Sequence, residues 1–142
     1  AKAGRITLGV RNPAKAARLA EEFSAYGEIQ VLHWEDGAFA DHLAMTDLLV
    51  NTTPLGMYPH VEGMPPVDWA KLKKAALVYD IIYTPACTRF LSEAQEHGHT
   101  IINGEGMLAG QGAAAFALWT GVTPNLALMK KALREELAAR QS

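Results

Sequence analysis

The sequence predicts a doubly wound α/β fold, with a mainly parallel sheet and helices on both faces. Three observations carry that expectation. Short β-rich apolar runs alternate with segments of helical period along the chain, turn and cap residues such as Asn12-Pro13 and Gly98 stand at the changeovers, and 142 residues at 49% hydrophobic content suffice for one core. One domain over residues 1–142 is therefore expected, with its ligands beyond the carboxyl ends of the strands.

The elements follow in order. Arg5 to Val10 reads as a buried strand with almost no leader. A chain normally leaves more before its first strand, so an upstream part is expected. Pro13 fits a first helical position, and Ala14, Ala17, Leu19, Ala20 and Phe23 form an apolar face up to Tyr26-Gly27. Ile29 to Leu32 is a second strand, Trp34 to Leu43 a polar, irregular stretch with at most a helical turn, and Thr46 to Asn51 a third strand. Pro66 to Lys74 reads as a short helix, Ala76 to Ile82 as a strand, Thr88 to His97 as a helix closed by Gly98, and Thr100 to Asn103 as a strand.

Gly104 to Gly121 reads as a helix that carries one polar side chain, Gln111, in its interior among small and apolar neighbours; Met107, Gln111, Ala114, Ala115 and Leu118 share a face. Gln111 is either an amide offered to a ligand or a solvated helix residue. Gly110 and Gly112 each cost roughly 1 kcal/mol relative to Ala, so close packing against a neighbour is expected to offset them. Asn125 to Arg140, with Leu126, Met129, Leu133 and Leu137 at helical spacing, is an amphipathic helix that docks on another element.

Composition narrows the function classes. A net charge of −2 with scattered Lys and Arg gives no footprint for nucleic acid. Cys87 is the only cysteine, so no internal disulfide forms, and a packing role suits it better than a reactive one. No apolar run is long enough to span a membrane, and no signal peptide is present, which makes the cytoplasm the default compartment. The five histidines lack metal-ligand spacing, so no metal is expected.

Chemistry is then sought at the strand ends. Arg11, with Asn12 and Lys15, would present two cations and an amide where a dinucleotide fold reads the adenosine ribose. An acidic residue there would suit NAD, whereas the donor fork of Arg11 suits the 2′-phosphate of NADP; ordinary surface charges are the competing reading. Asn51-Thr52-Thr53-Pro54-Leu55-Gly56-Met57 makes a fixed, donor-rich turn after the third strand, and Tyr83 puts a phenol at the end of the fourth.

These blocks resemble the carboxyl-terminal, NADP-binding domain of the shikimate dehydrogenase family. V-R-N-P-A-K at 10–15 is similar to the family's Asn-Arg-Thr adenine-site motif, N-T-T-P-L-G-M at 51–57 to its nicotinamide-side loop, and D-I-I-Y-T-P at 80–85 to its Asp-x-x-Tyr segment. G-E-G-M-L-A-G-Q-G-A followed by F-A-L-W-T-G is the most specific block. The resemblance implies a Rossmann-like fold and NADPH-dependent reduction of 3-dehydroshikimate to shikimate, in chorismate and aromatic amino-acid biosynthesis. It implies that Arg11, Asn12 and Lys15 hold the adenosine 2′-phosphate, that Ile81 and the backbone of Gly104 contact the nicotinamide, with Asn51, Thr52, Thr53 and Met107 as further cofactor residues, and that Tyr83 and Gln111 bind the hydroxy acid substrate.

Departures from the pattern shape the remaining expectations. The family's leading Asn is Val10 here, which leaves cofactor discrimination to Arg11 and Lys15. The glycine-rich pyrophosphate loop, the first strand-helix unit and the substrate domain with the family's proton-transferring Lys and Asp have no counterpart, so a fragment inactive alone is expected, with no catalytic residue of its own. A quinate-using relative and a non-catalytic nucleotide-binding or interaction module remain alternatives. In strand order 3-2-1-4-5-6 the absent strand lies between Arg5–Val10 and Thr46–Asn51, so the sheet is expected to be split. The gap would be closed by direct pairing of those strands, or by a homo-oligomer or strand swap with a second copy.

Overall fold

A computed structural model of the chain describes residues 3–139, which form β1 (Arg5–Val10), α1 (Pro13–Glu22), a 3-10 turn (Ser24–Tyr26), β2 (Glu28–His33), α2 (Gly37–Leu43), β3 (Leu48–Asn51), β4 (Leu77–Asp80), α3 (Arg89–Glu96), β5 (Thr100–Ile102), α4 (Glu105–Thr120) and α5 (Leu126–Ala139). All three strand pairings are parallel, with orders β1-β2 and β3-β4-β5. The expected α/β class with a mainly parallel sheet is therefore present, in two ladders. The chain divides into two compact units: one holds the chain up to Asp47 together with Pro66–Lys74, the other Leu48–Pro65 and the chain from Ala75 onward.

In the first unit β1 and β2 pair in register from Arg5↔Glu28 to Val10↔His33, and an ion pair of 2.8 Å between Arg5 and Glu28 marks the start of the ladder. Helix α1 opens where the sequence predicts: Pro13 occupies its first turn, and the side-chain oxygen of Asn12 accepts from the Lys15 N–H at 3.1 Å. A full helix, α2, replaces the expected irregular stretch. Past its carboxyl end the Thr46 hydroxyl donates to the His42 carbonyl at 2.9 Å, and β3 begins only at Leu48. The helix predicted over Pro66 to Lys74 is not there. Trp69 and Leu72 are spaced as on a helix, but both are buried as anchors of a turn, and the Lys73 N–H donates to the Leu43 carbonyl at 3.0 Å instead of to a helical partner.

The second unit is built on β4, its central strand. Val78 is fully buried, and Phe90, Leu91 and Ala94 of α3 are packed alongside in the core. Thr88 caps α3, accepting from the Leu91 N–H at 3.4 Å, and Gly98 ends the segment at φ 85°, as the sequence predicts. Helix α4 runs to Gly121, which takes φ 72° at its carboxyl end.

Helix α5 docks on α4. Glu105 receives the Arg134 Nε through both carboxylate oxygens at 2.9 Å, and this hydrogen bond holds the guanidinium pKa above its ordinary value. The two helix-interior glycines differ. A side chain at Gly112 would meet the Met129 terminal methyl at 3.4 Å, in line with close packing, but at Gly110 nothing lies within 4 Å. The packing expected to offset Gly110 is therefore absent among the described residues. Arg140, the predicted end of α5, lies outside the described residues.

Candidate functional site

Two groups of residues stand at strand ends, one in each unit. In the first unit, Arg11, Asn12 and Lys15 follow β1. Asn12 spends its amide oxygen on the helix cap, while Arg11 and Lys15 are exposed and have no carboxylate partner among the described residues. The Arg11 guanidinium lies over the Trp34 ring, 5.7 Å from its centroid. Trp34 was not singled out as a site residue by the sequence. It follows β2, and its N–H donates to the Val10 carbonyl at 3.1 Å.

In the second unit an open cavity of about 470 Å³ lies beyond β3 and β4. Of the predicted residues, Thr52, Thr53, Ile81 and Tyr83 line it; Pro54, Met57, Tyr58, Ile82 and Thr84 complete the wall. The Tyr83 hydroxyl has no hydrogen-bond partner among the described residues, and the ring is 37% exposed, so the phenol is available to a ligand. The Tyr58 N–H donates to the Thr84 carbonyl at 3.1 Å and ties the two loops together.

A buried polar knot holds those loops. Asp80 is fully buried and accepts from the Asn51 amide through both oxygens (3.2 and 3.3 Å), from the Ile82 N–H (3.0 Å) and from the Thr88 hydroxyl (2.6 Å). Asn51 also donates to the Leu55 carbonyl at 3.3 Å, and its oxygen accepts from the Thr53 N–H and hydroxyl at 3.0 and 2.8 Å. The sequence reads Asn51 as a cofactor residue. The structure places it inside, 2% exposed, with both polar atoms of its side chain engaged in shaping the turn.

Gly104 is buried at the start of α4, its N–H donating to the Ile82 carbonyl at 2.9 Å and its carbonyl accepting from the Leu108 N–H at 3.0 Å. An added Cβ would fall 1.9 Å from the Ile81 carbonyl oxygen, so only glycine allows this approach. Met107 and Gln111 lie on α4, both exposed, and the Gln111 amide has no partner among the described residues. Neither is part of the cavity wall. No cluster of three or more His, Cys, Asp or Glu side chains suited to a metal, and no helix long and apolar enough to cross a membrane, occurs among the described residues.

Known proteins are similar to this chain in sequence and fold. Residues 104–134 match the family described as the Shikimate 5'-dehydrogenase C-terminal domain. A shikimate dehydrogenase (NADP(+)) of Methanococcus aeolicus is 50% identical over 92 residues, 65% of this chain and 33% of that protein. One of Methanococcus maripaludis is 40% identical over 134 residues, 94% of this chain and 48% of the relative. The chain belongs to the shikimate dehydrogenase family. The fold agrees: a crystal structure of a shikimate dehydrogenase in complex with NADP+ superposes with a TM-score of 0.82 at 35% identity, over 96% of this chain and 48% of that one. The chain thus spans a third to about half the length of the family members it matches.

Proposed function

We propose that this chain supplies the cofactor side of a shikimate dehydrogenase, holding NADPH for the reduction of the 3-dehydroshikimate ketone to the alcohol of shikimate. The observation that carries the reading is the pair Arg11 and Lys15, exposed past β1 with no carboxylate partner among the described residues, in a chain 40% identical to a protein named for NADP(+). A donor fork left open at that strand end suits the 2′-phosphate that NADPH has and NADH lacks.

When bound, the nicotinamide supplies the hydride for the ketone carbon. The residues of this chain bind and orient. Thr52, Thr53 and Ile81 wall the cavity that we assign to the nicotinamide side, while the Tyr83 phenol and the Gln111 amide offer hydrogen bonds to the hydroxy acid. The proton for the new hydroxyl comes, on the resemblance to the family, from a Lys and an Asp in the substrate half, the partner this function needs. The absence of a membrane-crossing helix among the described residues and the lone Cys87 fit a cytoplasmic site of action.

Two outcomes test the reading. The 142 residues by themselves should not reduce 3-dehydroshikimate, because general acid-base groups contribute roughly 10²–10⁴-fold and substrate positioning is lost as well; steady turnover by the purified chain would overturn it. Arg11→Ala should weaken NADPH binding by about ten-fold or more, as expected for a charge-assisted hydrogen bond of about 1.5–3 kcal/mol, and leave NADH unchanged. Equal losses for both cofactors in a calorimetric titration would show that Arg11 is a surface charge.

A further inference from the structure

Arg11 and Trp34 meet where two paired strands end. The ladder of β1 and β2 ends at Val10↔His33, and the next residue of each strand is Arg11 and Trp34. Two backbone–backbone bonds and one from a backbone N–H to a side chain fix the second of these. The Trp34 N–H donates to the Val10 carbonyl at 3.1 Å, the Asp36 N–H to the His33 carbonyl at 3.0 Å, and the Glu35 N–H to the His33 Nδ1 at 3.3 Å. The half-buried indole is thereby held beside an exposed arginine, whose guanidinium lies 5.7 Å from the ring centroid.

The adjacent carboxylates, Glu35 and Asp36, make no ion pair with Arg11 among the described residues. A cation held on an aromatic face and not neutralised by a carboxylate keeps its charge and its N–H edge for an anion.

We propose that Trp34 is a positioning residue for cofactor selectivity: its ring holds the Arg11 guanidinium in place to receive the 2′-phosphate of an adenosine nucleotide. The proposal rests on the cofactor reading above and adds a residue and a mechanism to it. An arginine free in solvent loses side-chain freedom on binding phosphate; one already resting on an indole loses less, so the same hydrogen bonds give tighter binding. An exposed cation–π contact corresponds to a factor of roughly two to five in affinity. That factor should apply to ligands carrying the 2′-phosphate and to no others, since Trp34 acts through Arg11.

The test is calorimetric titration of the 142-residue chain with adenosine 2′,5′-bisphosphate and adenosine 5′-monophosphate. The unsubstituted chain should prefer the bisphosphate, and Arg11→Ala should erase the preference. Trp34→Leu, which keeps apolar bulk but has no ring face, should cut the preference about two- to five-fold while leaving the monophosphate unchanged. Trp34→Phe should keep the larger part of it. Circular dichroism of each variant confirms that it folds, and Phe and Leu together separate a ring effect from a packing effect.

A preference that survives Trp34→Leu, falls equally for both ligands, or is not restored by Phe overturns the positioning role while the cofactor reading stands. No preference in the unsubstituted chain overturns the cofactor reading and the positioning role with it.

Discussion

Replacing Thr88 by valine tests whether the knot around Asp80 holds the cavity together. Both residues are fully buried, and the Thr88 hydroxyl donates to Asp80 at 2.6 Å and accepts from the Leu91 N–H at 3.4 Å. Valine has nearly the same shape, so the hydroxyl is lost and no cavity opens. A hydrogen bond to a carboxylate contributes about 1.5–3 kcal/mol; the helix cap adds about 0.5 kcal/mol, the low end of its range because the bond is long. The expected loss is therefore about 2–3.5 kcal/mol. Thr88→Ser keeps the hydroxyl and removes one methyl, at a cost of about 1 kcal/mol. The predicted order, serine more stable than valine, is the reverse of the order that apolar burial alone would give. Urea denaturation of the 142-residue chain measures it, through the transition midpoint at unchanged slope. A valine variant as stable as the serine variant would refute the reasoning, because the hydroxyl would then contribute nothing beyond its methyl neighbour.

The two remaining predictions concern α4 and the substrate contacts. Gly104→Ala should destabilise by about 3 kcal/mol or more, since the new methyl would fall 1.9 Å from the Ile81 carbonyl oxygen, whereas Gly110→Ala, with no atom within 4 Å, should stabilise by about 0.5–1 kcal/mol; thermal melts that move both variants the same way would contradict the contrast. With the substrate half of a shikimate dehydrogenase joined to this chain, Gln111→Ala should raise KM for shikimate several-fold and leave NADPH affinity nearly unchanged, and steady-state kinetics showing a change confined to the cofactor would remove Gln111 from the substrate site.

How far this molecule could be read from its sequence depended on the range over which each signal acts. Helix α3 was legible because its start and stop are local: Thr88 caps it and Gly98 turns the chain at positive φ. The strands were legible as apolar runs. Pro66–Lys74 misled because Trp69 and Leu72 have helical spacing, and spacing does not reveal that the Lys73 N–H is taken by the Leu43 carbonyl. The opposite error occurred at α2, where the N-cap residue Asp36 makes no side-chain capping hydrogen bond and little in the sequence announces a helix. Site residues divide along the same line. Thr52, Thr53, Ile81 and Tyr83 sit in short motifs at strand ends and do line one cavity.

Asn51 belongs to the same motif, yet it faces inward, because an amide at a strand end looks alike in sequence whether it meets a ligand or a buried carboxylate. What distinguishes the two is its partner Asp80, on the neighbouring strand at the register position Asn51↔Asp80. Trp34 escaped notice for the same reason: it meets Arg11 only because β1 and β2 end level with each other. Strand register therefore decides both cases. It gives Asn51 a buried carboxylate as its partner, and it sets an aromatic ring under a cation that the sequence reads as a phosphate ligand or a surface charge.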